Sequence, residues 1–241
     1  MTAALDFSIA PEVAQRFPGI EIHAVRARGF RAAIPKLDHE AAVRDAVARI
    51  GTLGIDREKL AEFPPVAVWR QAYAALKVRP SAFRASIEAL LRRAVAGHDL
   101  ALPIPAVNLY NAVSLDALAP IGAYDMTKLP AAPMLLRLAD PATDRFTPLG
   151  GKAADFPLNA DLVVYAGGNT VLCWGFNHRD NVETALDAQS DDIVFFSEAV
   201  DAEGGAHARR AIEDIRTRLT AVGVVCSEPV EANKGRPVFR L

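Results

Sequence analysis

The spacing of apolar residues predicts that helices dominate the first half of the chain. After Asp38, which suits a helix N-terminus, apolar residues recur with the 3.6-residue period of one helix face. A second helix is expected to begin at Pro64, because proline is tolerated in the first turn. The strongest helical pattern follows a stop signal at residues 80–81 and ends at Gly97, and a shorter helix is expected within residues 108–118.

Short runs of β-branched and aromatic residues replace the helical pattern from residue 121 onward. A last long helix is expected around residues 212–222, and the tail behind it is expected to add a strand and a loose end. Strands are expected at residues 20–29, 134–139, 161–166, 170–176 and 193–198, with a hairpin turn at 167–169. Helices and strands are therefore largely segregated rather than alternating, which predicts the α+β fold class.

Composition and charge restrict the classes of function. The chain is 51% apolar and 23% charged, as in folded globular proteins, and its net charge of -2 gives no overall basic excess for nucleic acid. Cys173 and Cys226 lack the spacing of a metal site or a disulfide framework, so no metal and no cofactor are expected. Neither a signal peptide nor a membrane span is recognised in the sequence, which favours a cytoplasmic location and no membrane partner.

Three linked sequence runs resemble stand-alone proteins of the B3/B4 domain family. They are SAFRASIEALLRR at residues 81–93, AVNLYNAVSLDALAPIGAYDM at 106–126 and VLCWGFNHRDNVET at 171–184. The same domain occurs in the β subunit of bacterial phenylalanyl-tRNA synthetase, where it removes wrongly attached tyrosine. The resemblance implies β-sheets with helices packed outside, and a tRNA or aminoacyl-tRNA partner rather than DNA. It implies hydrolysis of mischarged tRNA as the activity.

The resemblance also suggests how the chain is organised. With no internal repeat and no low-complexity linker, residues 1–241 are expected to form a single domain. Residues 69–198 would form its B3/B4-like core, preceded by an extension over 1–68 and followed by a helix and tail over 199–241.

Removal of an amino acid from tRNA is ester hydrolysis, which needs a positioned water, a donor for the oxyanion and an anchor for the amino group. His178 is the candidate general base, and its alternative is a half-exposed histidine at a strand end. Asp125 is the candidate to bind the ammonium group, and its alternative is a turn-forming aspartate. Because the neighbouring ribose hydroxyl can help to move the proton, a strong protein base is optional. Cys173 is rejected as a nucleophile, since no cationic partner lies close in sequence.

Polar residues of the second run are candidates for substrate binding. Asn108, Asn111 and Ser114 are spaced by three residues, so they are expected to share a helix row, although asparagine and serine also cap loops. Tyr124 is a candidate for stacking on the adenine or the amino-acid side chain, with an ordinary core position as its alternative.

Two departures from the synthetase pattern fall in the expected pocket. Gly122 stands where the synthetase has histidine, and residues 177–180 replace a Gly-Gly-acidic run. Gly122, Asn177 and Arg179 are included among the substrate-binding candidates, with a structural ion pair as the alternative for Arg179. The missing histidine leaves open a non-catalytic module that binds amino acid or tRNA, and the acidic C-terminal third leaves open a subunit of a larger complex.

Basic residues concentrate in the first run. Residues 69–98 contain six basic residues and one acidic residue, Glu88. Arg84, Arg92 and Arg93 are the candidates for contact with the tRNA backbone, because a spacing of four places Arg84, Glu88 and Arg92 on one helix face. The alternative is a solvated helix face held by its own ion pairs.

Overall fold

Two β-sheets and seven α-helices make up residues 4–241, the part of the chain that the computed structural model describes, which confirms the predicted α+β class. The helices are α1 (Pro11–Arg16), α2 (Phe30–Ala33), α3 (His39–Thr52), α4 (Pro64–Ala75), α5 (Ser86–Val95), α6 (Pro105–Ala117) and α7 (Ala202–Ala221). The strands are β1 (Asp6–Ile9), β2 (Glu21–Arg28), β3 (Ile121–Asp125), β4 (Met134–Leu138), β5 (Val163–Gly167), β6 (Thr170–Trp174), β7 (Arg179–Asp180), β8 (Asp192–Ala199), β9 (Val225–Cys226), β10 (Val230–Asn233) and β11 (Val238–Arg240).

The strands form a six-stranded sheet A and a five-stranded sheet B. Sheet A has the order β11-β1-β4-β5-β6-β7, and sheet B has the order β10-β2-β8-β3 with β9 also paired to β2. The tail is more ordered than the expected loose end, because β11 pairs with β1 and the backbones of Leu5 and Leu241 exchange two hydrogen bonds. The early strand β1 and the helix α1 were not recognised in the sequence.

Strand β8 lies at the centre of the fold and is buried along its whole length. Its alternate side chains enter two different cores, as the pleat of a strand requires. Val194 and Phe196 pack into the core shared with sheet A, whereas Ile193 and Phe195 pack into a second core formed with α6 and α7. Sheet B is therefore the middle layer, with sheet A on one face and helices on the other.

The structure agrees with some of the expected helix boundaries and changes others. The Asp38 side chain accepts a hydrogen bond from the Ala41 amide and caps α3, and α4 begins at Pro64. The basic helix α5, however, begins at Ser86 rather than near residue 81. The amides of Arg84 and Ser86 face the side chains of His178 and Asn177 instead of helical carbonyls, so this tertiary contact delays the helix.

None of the helices within residues 4–241 combines the length and the apolar character that crossing a membrane would require.

Candidate functional site

A cavity of about 560 Å³ lies where strands of both sheets meet α5 and α6. All three of the runs identified in the sequence contribute to its wall. The first run contributes Ser86 and Arg93, the second Asn111 and Tyr124, and the third Asn177 and Asp180. Side chains from distant parts of the sequence thus converge on one concave site, which is the usual geometry of a ligand-binding pocket.

Strand β3 sends only some of its candidate residues into this cavity. Gly122 and Tyr124 line the wall, whereas Asp125 does not. Consecutive strand residues face opposite sides of a sheet, so Asp125 cannot share the face of Tyr124. Its carboxylate instead accepts hydrogen bonds from the Thr127 amide (2.9 Å) and hydroxyl (2.6 Å). Asp125 therefore lies outside the candidate site, and its contacts are those of a turn-forming aspartate.

Helix α6 likewise brings one of its three polar candidates to the cavity. Asn111 lines the wall, whereas Asn108 bonds both backbone groups of Leu102 at 2.8 Å. Ser114 donates to the Ala119 carbonyl at the end of the helix. A step of three residues rotates a side chain by about 60° around a helix axis, so a row of three spreads too widely to face one cavity. We therefore remove Asn108 and Ser114 from the proposed site.

His178 is held against the segment before α5. Its Nδ1 lies 3.2 Å from the Arg84 amide nitrogen and 2.8 Å from the Arg84 carbonyl oxygen, so it bonds one or the other according to its tautomer. The ring packs edge-on to Phe83 at 5.3 Å. Burial is the largest cause that lowers the pKa of His178 below its ordinary value. The ring is therefore neutral at pH 7, and its Nδ1 is bonded to the backbone of the segment before α5.

A buried carboxyl group, Glu198, faces the cavity from β8. It occupies the same face of the strand as Phe196 and is only 5% exposed. Burial, reinforced by the charge of Asp180, raises the pKa of Glu198 to about 7, while the hydrogen bond from Tyr165 opposes the rise. A carboxyl group with such a pKa can take up or release a proton at neutral pH.

Glu198 was not among the candidate residues identified in the sequence. The signal that could have found it is the alternation of its strand, because an acidic residue in register with Val194 and Phe196 must point into a core.

The third run supplies a second carboxyl group, Asp180, at the end of sheet A. Burial raises its pKa, and a hydrogen bond with Cys173 and the charge of Arg179 oppose that rise. Burial and the charges of Asp180 and Glu198 raise the pKa of the Cys173 thiol well above its ordinary value. The thiol therefore stays protonated at neutral pH, which supports the rejection of Cys173 as a nucleophile.

Unpartnered polar atoms within residues 4–241 concentrate at this one cavity. Four buried side-chain atoms there lack a hydrogen bond of normal geometry, and all four belong to cavity residues. They are Nε of Arg84, Oγ of Ser86, Nδ2 of Asn177 and Nε of Arg179. Buried polar groups are normally paired, so this cluster indicates where a bound molecule would supply partners.

The basic residues of the first run divide into two groups. Glu88 is buried, and its Oε1 forms ion pairs with nitrogens of Arg70 at 2.8 Å, Arg84 at 3.5 Å and Arg92 at 3.8 Å. Arg84 and Arg92 therefore form the ion pairs that the alternative interpretation, a helix face held by its own ion pairs, requires. Arg93 is on the side of α5 that faces the cavity and is exposed at its mouth.

Comparison with protein families matches residues 68–220 to the B3/4 domain. This chain belongs to the B3/4 domain family. The match covers more than half of the chain and includes every residue that lines the cavity, so the B3/4 domain contains the whole candidate site. The B3/4 domain is a module related to tRNA synthetases, which makes tRNA a plausible partner. Comparison with curated proteins gives no match.

Gly122 leaves open space at the wall of the cavity. A Cβ atom added at Gly122 would meet no heavy atom within 4 Å. Glu198, on the strand that pairs with the strand of Gly122, is a titratable group of this cavity with a pKa near neutrality.

Proposed function

We propose that this B3/4 protein hydrolyses the ester bond of mischarged aminoacyl-tRNA, acting in trans as an editing deacylase in the cytoplasm. The observation that carries the proposal is the position of Glu198, whose pKa is about 7, in a cavity with unpaired polar atoms on Ser86, Asn177 and Arg179. Ester hydrolysis needs both features, a proton acceptor for water and donors for the oxyanion.

In the proposed reaction, ionised Glu198 takes a proton from a water molecule as its oxygen attacks the ester carbonyl carbon. The carbonyl oxygen becomes an oxyanion, which the free N–H groups of Arg179 and Asn177 are suited to stabilise. The intermediate then expels the ribose oxygen, which takes up a proton from Glu198 or through the neighbouring ribose hydroxyl. The products are the free amino acid and uncharged tRNA, and Glu198 returns to its ionised form.

His178 has a supporting part in this scheme. Its Nδ1 is committed to the backbone of Arg84, so we assign to it the positioning of the cavity wall rather than proton transfer. This replaces the expectation that His178 is the general base.

The aromatic part of the cavity suits a flat or apolar portion of the substrate. Tyr124, Tyr165 and Phe196 pack with ring centroids 5.9 to 6.5 Å apart, and all three line the wall. Within residues 4–241 the Tyr124 hydroxyl has no hydrogen-bond partner, so it is free to contact a ligand. We propose Tyr124 as a contact to the terminal adenine or to the amino-acid side chain.

We propose that the tRNA backbone reaches the cavity across the end of the basic helix, past Arg84, Arg92 and Arg93. The side chains of Arg84 and Arg92 remain 35% and 41% exposed despite their ion pairs with Glu88. They are therefore able to contact phosphate groups while Arg93 faces the cavity mouth.

Replacing Arg93 with glutamate is expected to weaken tRNA binding and to reduce the salt dependence of the binding constant by about one phosphate contact. Arg93 is the most informative position for this test because it takes no part in the ion pairs of Glu88. The measurement is a binding titration at several salt concentrations. The matched control is Arg240→Glu, which reverses an exposed arginine on β11 at the opposite edge of sheet A. Equal affinities and equal salt slopes for both variants would mean that Arg93 is merely solvated.

A second candidate function is a non-catalytic module that binds amino acid or tRNA. The absence of the synthetase's histidine at Gly122 favours it. Incubation with a panel of mischarged tRNAs separates the two functions, since an enzyme releases amino acid from at least one of them and a binding module only retains it.

We also propose that residues 1–241 form one domain. The pairing of β1 with β11 and β4 supports this, because it ties both ends of the described chain to a strand of the B3/4 region.

A further inference from the structure

The wall of the candidate cavity carries three acidic residues, Asp155, Asp180 and Glu198, and three arginines, Arg84, Arg93 and Arg179. Within residues 4–241, no Lys or Arg nitrogen lies within the 4.0 Å ion-pair distance of the carboxylates of Asp180 or Glu198. Arg179, which is next to Asp180 in the sequence, directs one guanidinium nitrogen to another partner and leaves its Nε unpaired. Arg179 donates to the Leu149 carbonyl at 3.1 Å and its guanidinium lies over the Phe156 ring. Acids without a cation at a cavity wall favour a ligand that brings its own positive charge.

Asn111 is a second and independent indication of a ligand. The residue is only 8% exposed and lines the cavity with Asp180, and within residues 4–241 its side-chain amide has no hydrogen-bond partner, so the amide is open to a ligand in the cavity. An amide oxygen can accept one N–H of an ammonium group while a carboxylate accepts another.

From this geometry we infer that Asp180, assisted by Asn111, binds the free α-ammonium group of the substrate, so that the site accepts unblocked aminoacyl esters and rejects N-acylated ones. The inference rests on the proposed function for the identity of the ester. It specifies which chemical form of the aminoacyl group the cavity takes.

Ammonium binding would also prepare Glu198 for its part in catalysis. The negative charge of Asp180 contributes to the raised pKa of Glu198 in the free protein. A cation placed on Asp180 offsets that charge, so the pKa of Glu198 falls and the carboxylate ionises in the complex. The acid limb of kcat is therefore expected at lower pH than the acid limb of kcat/KM.

The test is calorimetric binding of 3′-aminoacylamino-3′-deoxyadenosines, whose amide bond replaces the ester and resists hydrolysis. Each standard amino acid is offered as the free amine and as its N-acetyl derivative. For the analogues that bind, we expect the free amine to bind at least ~10-fold more tightly, as for the loss of a charge-assisted hydrogen bond. Asp180→Asn should remove this preference, whereas Glu183→Gln, an exposed acid three residues away that does not line the cavity, should keep it.

The outcomes separate this inference from the proposed function. A preference for the free amine that is lost in Asp180→Asn supports the inference even if no ester is hydrolysed, in which case the enzyme proposal fails alone. Equal binding of free and acetylated analogues, or binding of neither, overturns the inference even if deacylation is observed. A preference that persists unchanged in Asp180→Asn overturns the assignment of Asp180.

Discussion

Replacing Glu198 with glutamine is expected to lower kcat/KM for deacylation by ~10²–10⁴-fold, the usual cost of a lost general base. Glutamine keeps the size of the side chain and can still accept from Tyr165, but it cannot take a proton from water. In the unmutated protein, kcat/KM should fall as the pH drops below about 7, because only ionised Glu198 acts as a base. His178→Ala should cost less, since the ring acts through the Arg84 backbone.

Stability measurements distinguish the loss of the catalytic base in Glu198→Gln from unfolding of the variant. The pKa of Glu198 in the folded protein, about 7, lies above its ordinary value of 4.5, so the folded state binds the proton more tightly than the unfolded state. The free energy of unfolding therefore falls as the pH rises through this interval and stays lower above it. Glu198→Gln removes that loss, and the variant should be at least as stable as the parent above pH 7. An inactive variant that is also less stable there, or an active one, contradicts the assignment.

Replacing Gly122 with phenylalanine is expected to reduce deacylation by at least ~10²-fold without unfolding the protein. The added Cβ meets no heavy atom within 4 Å, and the position lines the cavity, so the ring enters space that the substrate needs. Displacement of a substrate by about 1 Å already has a cost of this size. The backbone is in a strand, where phenylalanine is favoured over glycine.

The matched control for this variant is Gly51→Phe. Gly51 also has open space around its added Cβ, but it lies exposed on α3 and does not line the cavity. Activity and thermal stability measured for both variants should show a loss of activity for Gly122→Phe alone. Full activity of a folded Gly122→Phe protein would show that the substrate does not occupy this part of the cavity.

The sequence predicted the fold class and most elements because their periodic patterns are local. The cap at Asp38, the start of α4 and the hairpin between β5 and β6 all depend on a few neighbouring residues. The start of α5 could not be predicted in this way, because the side chains of Asn177 and His178 hold the preceding amides from about 90 positions away in the chain. Strand β11 was missed for the same reason, since it pairs in sheet A with β1 at the other end of the chain.

The site was predicted less completely than the fold. The resemblance identified the right runs, but the direction of each side chain depends on where a strand or helix begins. Tyr124 and Asp125 were both candidates for the pocket, but neighbouring strand residues face opposite sides of the sheet and only Tyr124 lines the cavity. Glu198 was overlooked because its raised pKa comes from burial between two sheets, and burial is a property of the assembled fold.

The most direct test of the central claim is the rate of amino-acid release from a panel of mischarged tRNAs, with Glu198→Gln measured beside the unmutated protein. We predict that the unmutated protein releases at least one amino acid faster than spontaneous hydrolysis, and that the variant loses this acceleration while remaining folded. A panel in which no ester is hydrolysed above the spontaneous rate would contradict the deacylase proposal and favour a binding module. Equal rates for the two proteins would contradict the assignment of Glu198 as the base.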